Sequence, residues 1–423
     1  MRKVNIAVTI QNYVQFYSIK LLIDELLKKS INVDIYVPVA KDDWGLKEMF
    51  EDIYNYLISN GYNPRRNPLK IKYKILLEPY PMEYYFSFNY EYRIKYKYCA
   101  ISAKPSLTYK IESNFVYDAI LCHSTYEQEV LSCYSKTYLV GKLNYCNFEK
   151  TKKTSKEKTI LYLPTYGNLN SINEITNELI KLRSKYRIIT KEHHGTDYFN
   201  YEKEKREKLS IFDECYDSKM PLEDLLKKAD VVLTDNSGSI FEAIYTNIPV
   251  CIFSKNIKDC SLGDIDSLQL QLIRKKVIPY TDNEQKIDTI IKSALSKEYR
   301  QKQKQISEKL FPVKSDNNNV LSSYTNVIDL YLNLKDDILS NRIKLHKKII
   351  NEFESNREEV KYLKKENELL SSKEDDLNLL INHLKSNNNL LAEQLNEYQK
   401  GKLYKLSTKI YSFMSNFRRK NKL

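Results

Sequence analysis

The sequence predicts an α/β protein: two doubly wound, Rossmann-like lobes followed by a long C-terminal helix. Three observations carry this. Strand and helix patterns alternate twice along the chain, the two alternations meet at the charged run TKKTSKEK (151–158), and a seven-residue leucine repeat begins near 349. The expected organisation is a first lobe over 1–150, a second over 151–335, a coiled coil over 340–400 and a basic tail over 401–423.

The first lobe opens as a βαβ unit. Val4 to Ile10 is an apolar strand, Val14 to Lys29 has helical spacing, and Val33 to Val39 is a second strand. No G-x-G-x-x-G follows the first strand, so the dinucleotide fingerprint is absent there. The Tyr-rich stretch from Tyr80 to Tyr98 gives no clear period. Phe115 to Cys122 reads as a strand, Thr125 to Tyr134 as a helix and Thr137 to Val140 as a strand.

In the second lobe, Ile160 to Leu163 is a strand, 171–184 a helix, and Arg187 to Thr190 a strand that runs into Lys191-Glu192-His193-His194-Gly195. Pro221 to Lys228 is a helix. Val231 to Leu233 is then a buried parallel strand, followed by the small polar residues Thr234 to Ser239. Ser237 or Ser239 is the expected N-cap of a helix starting at Ile240, and its first amides point back at the loop as a phosphate site. Asn247-Ile248-Pro249 ends that helix and Val250 to Phe253 is the next strand. Two such lobes joined by a linker make a cleft, where folds of this kind bind ligands.

Beyond 340, Ile349, Leu363, Leu370, Leu377, Leu384 and Leu391 fall on one heptad position, with Asn356 as the polar gap. Phe353, Val360, Asn367, Glu374, Ile381, Asn388 and Leu395 occupy the partner position. No Pro or Gly interrupts 349–400, so the pattern predicts a coiled-coil homodimer. The tail places Leu403, Leu406, Ile410, Phe413, Met414 and Phe417 at helical spacing, with lysines on the other faces. A basic amphipathic helix of this kind suits the inner surface of a membrane.

The net charge of +13 is concentrated there: residues 401–423 hold seven Lys and Arg and no acid. The body is only mildly basic, which argues against a nucleic-acid partner. Cysteines 99, 122, 133, 146, 215, 251 and 260 form no C-x-x-C pair, so reduced thiols are expected rather than disulfides or zinc. The first residues lack a signal-peptide pattern, and no stretch of 18 apolar residues exists. The expected setting is cytoplasmic, at the inner face of the cell membrane.

Three segments carry a family resemblance. Ile160 to Tyr166 is similar to a strand followed by P-T-x, Lys191-Glu192-His193 to K-L-H-P, and Thr234 to Glu242 with Asn247-Ile248-Pro249 to T-D-Y-S-S-x-x-F-D…K-P. Together with Tyr117-Asp118-Ala119-Ile120 through Gly141, these resemble the CDP-glycerol glycerophosphotransferases, the teichoic-acid and capsule polymerases and primases, over roughly 115–255. The resemblance implies a GT-B fold with the donor nucleotide on the second lobe. His194 replaces the motif proline, Gly238 replaces the second serine, and the first lobe has no W-H-G. Gly238 and Glu242 also resemble the D-S-G-G…E of UDP-N-acetylglucosamine 2-epimerases.

The residue types assign roles. Ser237, Gly238 and Ser239, with Thr165, Asp235 and Asn236, form the donor loop, and Lys191, His193 and His194 stand beside it to meet phosphate oxygens. Glu242 is placed to accept from ribose hydroxyls. The acceptor hydroxyl needs a base of near-neutral pKa, for which His193 and His123 are the candidates, ahead of Asp118, Glu78 and Asp34. No metal and no cofactor are expected. The leading expectation is transfer of glycerol phosphate from a CDP-activated donor to a lipid-linked or polymeric acceptor. The alternatives are a glycosyltransferase using a UDP-, CMP- or CDP-sugar, a nucleotide-sugar epimerase, and a non-catalytic coiled-coil scaffold.

Overall fold

The computed structural model describes residues 5–40, 46–82, 86–101, 114–146, 148–151, 157–212, 214–255, 257, 267–314, 317–334 and 339–420. The linker expected at 151–158 and the boundary at 335 lie largely outside these residues, as do Val4, Cys260 and the last three residues of the tail. Two compact units are present, Met1–Leu339 and Ser340–Leu423.

The first lobe contains β1 (Asn5–Thr9), α1 (Tyr13–Lys28), β2 (Asn32–Tyr36), α2 (Leu46–Ser59), β3 (Lys72–Glu78), β4 (Asn89–Lys95), β5 (Ala119–Cys122), α3 (Thr125–Leu131) and β6 (Lys136–Leu139). Among the described residues its strands form one parallel sheet in the order β2-β1-β3-β4-β5-β6. β4 arises within the Tyr-rich stretch that had no clear period. Tyr92, Arg93, Ile94 and Lys95 are all buried, so both faces are covered and no alternation survives in the sequence. β5 is shorter than the strand expected from Phe115, because Asn114 to Tyr117 form a turn. Asn12 caps α1 by accepting from the Gln15 N–H, and Ser124 caps α3 by accepting from Glu127.

The second lobe contains β7 (Lys158–Leu163), α4 (Ile172–Leu182), β8 (Tyr186–Lys191), α5 (His194–Tyr198), α6 (Lys203–Leu209), β9 (Glu214–Tyr216), α7 (Leu222–Lys228), β10 (Val231–Thr234), α8 (Ser239–Tyr245), β11 (Val250–Phe253), α9 (Leu268–Arg274), β12 (Tyr280–Thr281), α10 (Ile287–Leu295) and α11 (Lys297–Leu310). Its described strands are again all parallel, in the order β12-β11-β10-β7-β8-β9. The chain enters at β7, runs outward to β9, then returns to lay β10 on the other side of β7. The order reverses between β7 and β10, and loops leaving the carboxyl ends there diverge to leave a crevice. The pairings Thr234↔Leu163 and Tyr162↔Thr190 bring the three strand ends level.

α12 (Asn317–Asn333) returns to pack on the first lobe. Tyr331 donates to the Asp118 carbonyl at 3.2 Å and packs edge-on to Tyr92, and the Tyr324 hydroxyl meets the Gly141 carbonyl at 3.0 Å. α13 (Leu339–Lys420) is a single 82-residue helix. The helical reading of the C-terminal region is therefore shown; the pairing of helices is not. No described helix is long and apolar enough to cross a membrane.

Gly141 (φ +75°) sits where the chain leaves the first sheet, and a Cβ there would stand 2.3 Å from the Val313 carbonyl oxygen. Gly141→Ala meets both a strained φ and a backbone clash, and we expect a loss of about 2 kcal/mol or more, read as a lower denaturation midpoint. An unchanged midpoint would show that the crossing tolerates a side chain.

Candidate functional site

The crest of the second sheet is held together by a buried carboxylate. Asp235, fully buried just after β10, accepts from the Thr165 N–H (2.9 Å) with Oδ1, and from the Ser171 N–H (3.0 Å) and hydroxyl (3.1 Å) with Oδ2. It thereby ties the loop after β10 to the loop after β7, across the point where strand order reverses. Asn170 tightens the β7 loop by donating to the Thr165 carbonyl (2.5 Å), and Tyr162 bonds the Ser171 hydroxyl from below (2.9 Å). Burial raises the Asp235 carboxyl to about 7, against three donors that favour its charged form. Thr165 and Asp235 were expected to touch the donor. Asp235 instead lies beneath the loops and positions them, and Thr165 bonds it through its backbone.

Above this strut lies a chain of hydroxyls. Thr234 donates to the Leu163 carbonyl (2.6 Å), and Ser239 Oγ lies 2.9 Å from Thr234 Oγ1 and 3.0 Å from Ser237 Oγ. When Ser239 donates to Ser237, the Ser237 hydroxyl keeps its own proton for an incoming acceptor. The expected capping serine is corrected: Gly238 holds the cap position without a side-chain bond, and Ser237 Oγ accepts from the Ser239 N–H (3.3 Å). α8 has only seven residues, so hydroxyls rather than a helix dipole are the local means of holding an anion. Asn236 is buried and accepts from Gln269 (3.2 Å), a loop support that no sequence motif marks.

On the other flank of β7, the end of β8 presents the histidine pair. His193 takes the N-cap position of α5, and its Nδ1 accepts the Gly195 N–H (3.0 Å). With Nδ1 accepting, the neutral ring carries its proton on Nε2 and is a hydrogen-bond donor toward its open side. That tautomer suits a phosphate oxygen and disfavours the general-base role. Burial, then His194 and Lys191, hold His193 well below the usual imidazole range, and burial with Lys191 lowers His194 to about 4. Lys191 is buried and donates to the Asp217 (2.9 Å) and Glu192 (3.4 Å) carbonyls. Tyr166, 42% exposed, stacks on His193 with ring centres 4.7 Å apart and an interplanar angle of 21°. Gly195 permits this, since a Cβ there would stand 2.8 Å from the Tyr166 ring.

Several expectations are corrected. His123 is 1% exposed, and its two ring nitrogens lie 3.0 Å from the Cys99 carbonyl and 3.0 Å from the Tyr324 hydroxyl. No nitrogen remains to act as a base, and the ring serves the packing of α12 on the first lobe. Glu78 is paired with Arg93 inside the first sheet, Asp34 holds Arg65 and Tyr73, and Asp118 accepts from the Arg93 N–H. Glu242 does not face an open ribose site. It is buried, and its Oε1 accepts from Lys142 Nζ (3.1 Å) and from the Ala100 N–H (2.8 Å) of the first lobe. Lys142 also reaches the Tyr98 carbonyl (3.3 Å), and the Ile101 carbonyl lies 3.2 Å from where a Gly238 Cβ would be. The segment 98–101 and Lys142 thus dock the first lobe onto the donor loop. Sequence reasoning missed them, although the Lys following Gly141 was a usable signal. The structure brings Thr165, Lys191, His193, His194, Ser237, Gly238 and Ser239 to one crest.

In fold, the chain resembles a putative UDP-N-acetylglucosamine 2-epimerase from Listeria monocytogenes, with a TM-score of 0.51 at 11% identity over 79% of this chain and 98% of that one. It resembles the wall teichoic acid polymerase TagF with a TM-score of 0.51 at 12% identity, over 79% of this chain and 90% of that one. No protein-family model matches the sequence, and no curated protein matches it. At such identities the likeness shows the fold: two parallel-sheet α/β lobes consistent with GT-B.

Two outcomes are expected here. Glu242→Ala leaves the buried Lys142 ammonium unpaired and costs about 3–5 kcal/mol, while Glu242→Ala with Lys142→Met recovers part of it; equal losses in both would show that the pair is not coupled. Below about 6.5 an unfolded chain protonates histidines that the fold keeps neutral, so stability present above 6.5 is lost as pH falls toward the His194 value near 4. His194→Gln should flatten the melting-temperature profile between pH 6.5 and 4, and an unchanged slope would exclude this ring as its source.

Proposed function

We propose that this chain is a transferase that binds a nucleotide-activated donor against the crest of the second lobe. It moves the donor's glycerol-phosphate, or a related polyol-phosphate, group to a hydroxyl of a membrane-associated surface polymer. One observation carries the reading: the Ser237–Ser239 hydroxyls and the Nε2–H side of His193 flank the same strand end, β7, at the reversal of strand order. Both are neutral donors, and Lys191 adds a positive field behind them. Such a set stabilises a leaving nucleotide phosphate by hydrogen bonds fixed before the reaction. In the transfer the acceptor oxygen forms a bond to phosphorus, the bond from that phosphorus to the bridging oxygen breaks, and a nucleoside monophosphate leaves, its phosphate taking up the proton that the acceptor hydroxyl gives up.

Tyr166 contributes a flat, half-open ring beside the phosphate donors, held by its stack on His193, and it suits packing against the nucleoside. The basic, amphipathic stretch from 401 supports an acceptor at a membrane surface. The resemblance to the CDP-glycerol glycerophosphotransferases in the segments that build this crest favours a cytidine donor. A glycosyltransferase using a nucleotide sugar would use the same loops. A second reading, nucleotide-sugar epimerisation, is favoured by the near-complete span of the Listeria epimerase that this chain covers. Against it, Glu242 is engaged in joining the lobes.

Thermal shift with CMP, CDP-glycerol, CDP-ribitol and UDP-sugars tests donor binding. A ligand at a hundredfold its dissociation constant stabilises the fold by about 2.7 kcal/mol. We expect cytidine nucleotides to raise the melting temperature, and Ser237→Ala combined with His193→Ala to weaken binding about tenfold or more. Silence toward every nucleotide would end the transferase and epimerase readings together. Because both histidines stay neutral, His193→Ala should leave the shape of the affinity profile from pH 6 to 8 unchanged; a pH dependence that the variant abolishes would mean an imidazolium is binding the phosphate. Rapid conversion of the donor sugar without acceptor would replace transfer by epimerisation.

A further inference from the structure

We infer that α13 is one strand of a parallel, in-register, two-stranded coiled coil formed with a second copy of this chain. Val360, Leu363, Leu370, Leu377, Ile381, Leu384 and Leu391 lie along one heptad seam of the helix, and each exposes between 45% and 60% of its surface. A row of half-exposed leucines and β-branched residues this long is covered in an aqueous protein. Three features of the seam choose the occupant.

The first is the shape of the apolar residues. Val360 and Ile381 stand at one core position, a, and leucine stands at the other, d, from 363 through 391. β-branched residues at a with leucine at d favour two strands over three or four. The second is the placement of the polar residues. Asn367, Glu374 and Asn388 all occupy a, and Asn356 occupies d. In a parallel pair a faces a and d faces d, so with no stagger each asparagine meets its own copy and amide bonds to amide. In an extensively overlapped antiparallel pair a faces d, and Asn367 and Glu374 are set against leucine, which leaves polar groups unpaired. Shifting a parallel pair by one heptad sets Asn367 against Val360 or Glu374.

The third feature is charge. In a parallel pair the residue at g lies beside the partner's e five positions on, which joins Glu359 to Lys364 of the other copy twice over. The remaining g–e combinations from 366 to 392 contain no like-charged pair. The Glu374 layer is compensated as well. A knob at a packs beside the partner's preceding g residue, which is Lys373, so two Glu374–Lys373 contacts flank the two carboxylates. Dimer, orientation and register all follow from residues on one face of one helix, independently of the function proposed above.

The test uses the full-length chain. Light scattering at micromolar concentration should give twice the chain mass. In a Cys133→Ser, Cys260→Ser background, which removes the thiol exposed among the described residues and the one outside them, Asn388→Cys should cross-link to a dimer on a non-reducing gel, because facing a positions approach within disulfide reach. Asn389→Cys, one residue around the helix, should not. Glu359→Lys should raise the dimer dissociation constant about tenfold, and adding Lys364→Glu in the same chain should restore it, since the pair is then reversed rather than lost. A single-chain mass, a trimer or a tetramer overturns the inference. So does a dimer in which Asn388→Cys fails to cross-link, or in which both cysteine variants cross-link equally.

Discussion

Everything at the crest of the second lobe hangs on the carboxylate of Asp235. Parallel strands end level with one another, but the loops that leave them have no ladder to hold them. One buried side chain with two acceptor oxygens supplies the missing order. By binding the Thr165 and Ser171 amides it fixes the course of the β7 loop, and that loop carries Tyr166 to its stack on His193. The carboxylate is out of contact with water, so the three donors it gathers substitute for hydration. Through this one group the loops after β7 and β10 are tied together, and the Tyr166 stack extends the tie to the end of β8.

The lobes are joined on the same principle. Glu242 belongs to the helix behind the donor loop, yet its partners are a lysine and a backbone amide of the first lobe. Tyr324 and Tyr331 do the corresponding work from α12, which leaves the second lobe to pack against the first. Polar side chains buried at the junction demand specific partners, and hydrophobic contact alone would not fix one orientation. His123 belongs to this group: its two nitrogens are spent on the backbone of one strand end and on a helix two hundred residues away.

Much of this was legible in the sequence. The strand at 231–234, the turn at 247–249 and the helix at 13–28 are written in apolar runs and turn residues that respond to local forces. Thr165, Lys191, His193 and the serines of the donor loop were singled out from strand ends and motif resemblance, and the structure places each of them at or just after a strand of the second sheet. Roles were harder to read than positions. Asp235 and Thr165 looked like ligand contacts, and Glu242 like a ribose acceptor, because a polar residue in a loop looks the same whether it faces a substrate or a distant backbone. Only tertiary packing separates these cases. β4 was hidden for a related reason: tyrosines and charged residues that are buried and paired give no period to detect.

Gly238 has a further consequence. The Ile101 carbonyl lies 3.2 Å from where a Cβ at this position would stand, so the absence of a side chain is what lets the donor loop and the end of the 98–101 segment approach. A larger residue at 238 would press on the backbone of both lobes at once, and the width of the seam between them is therefore set by the smallest residue in the loop.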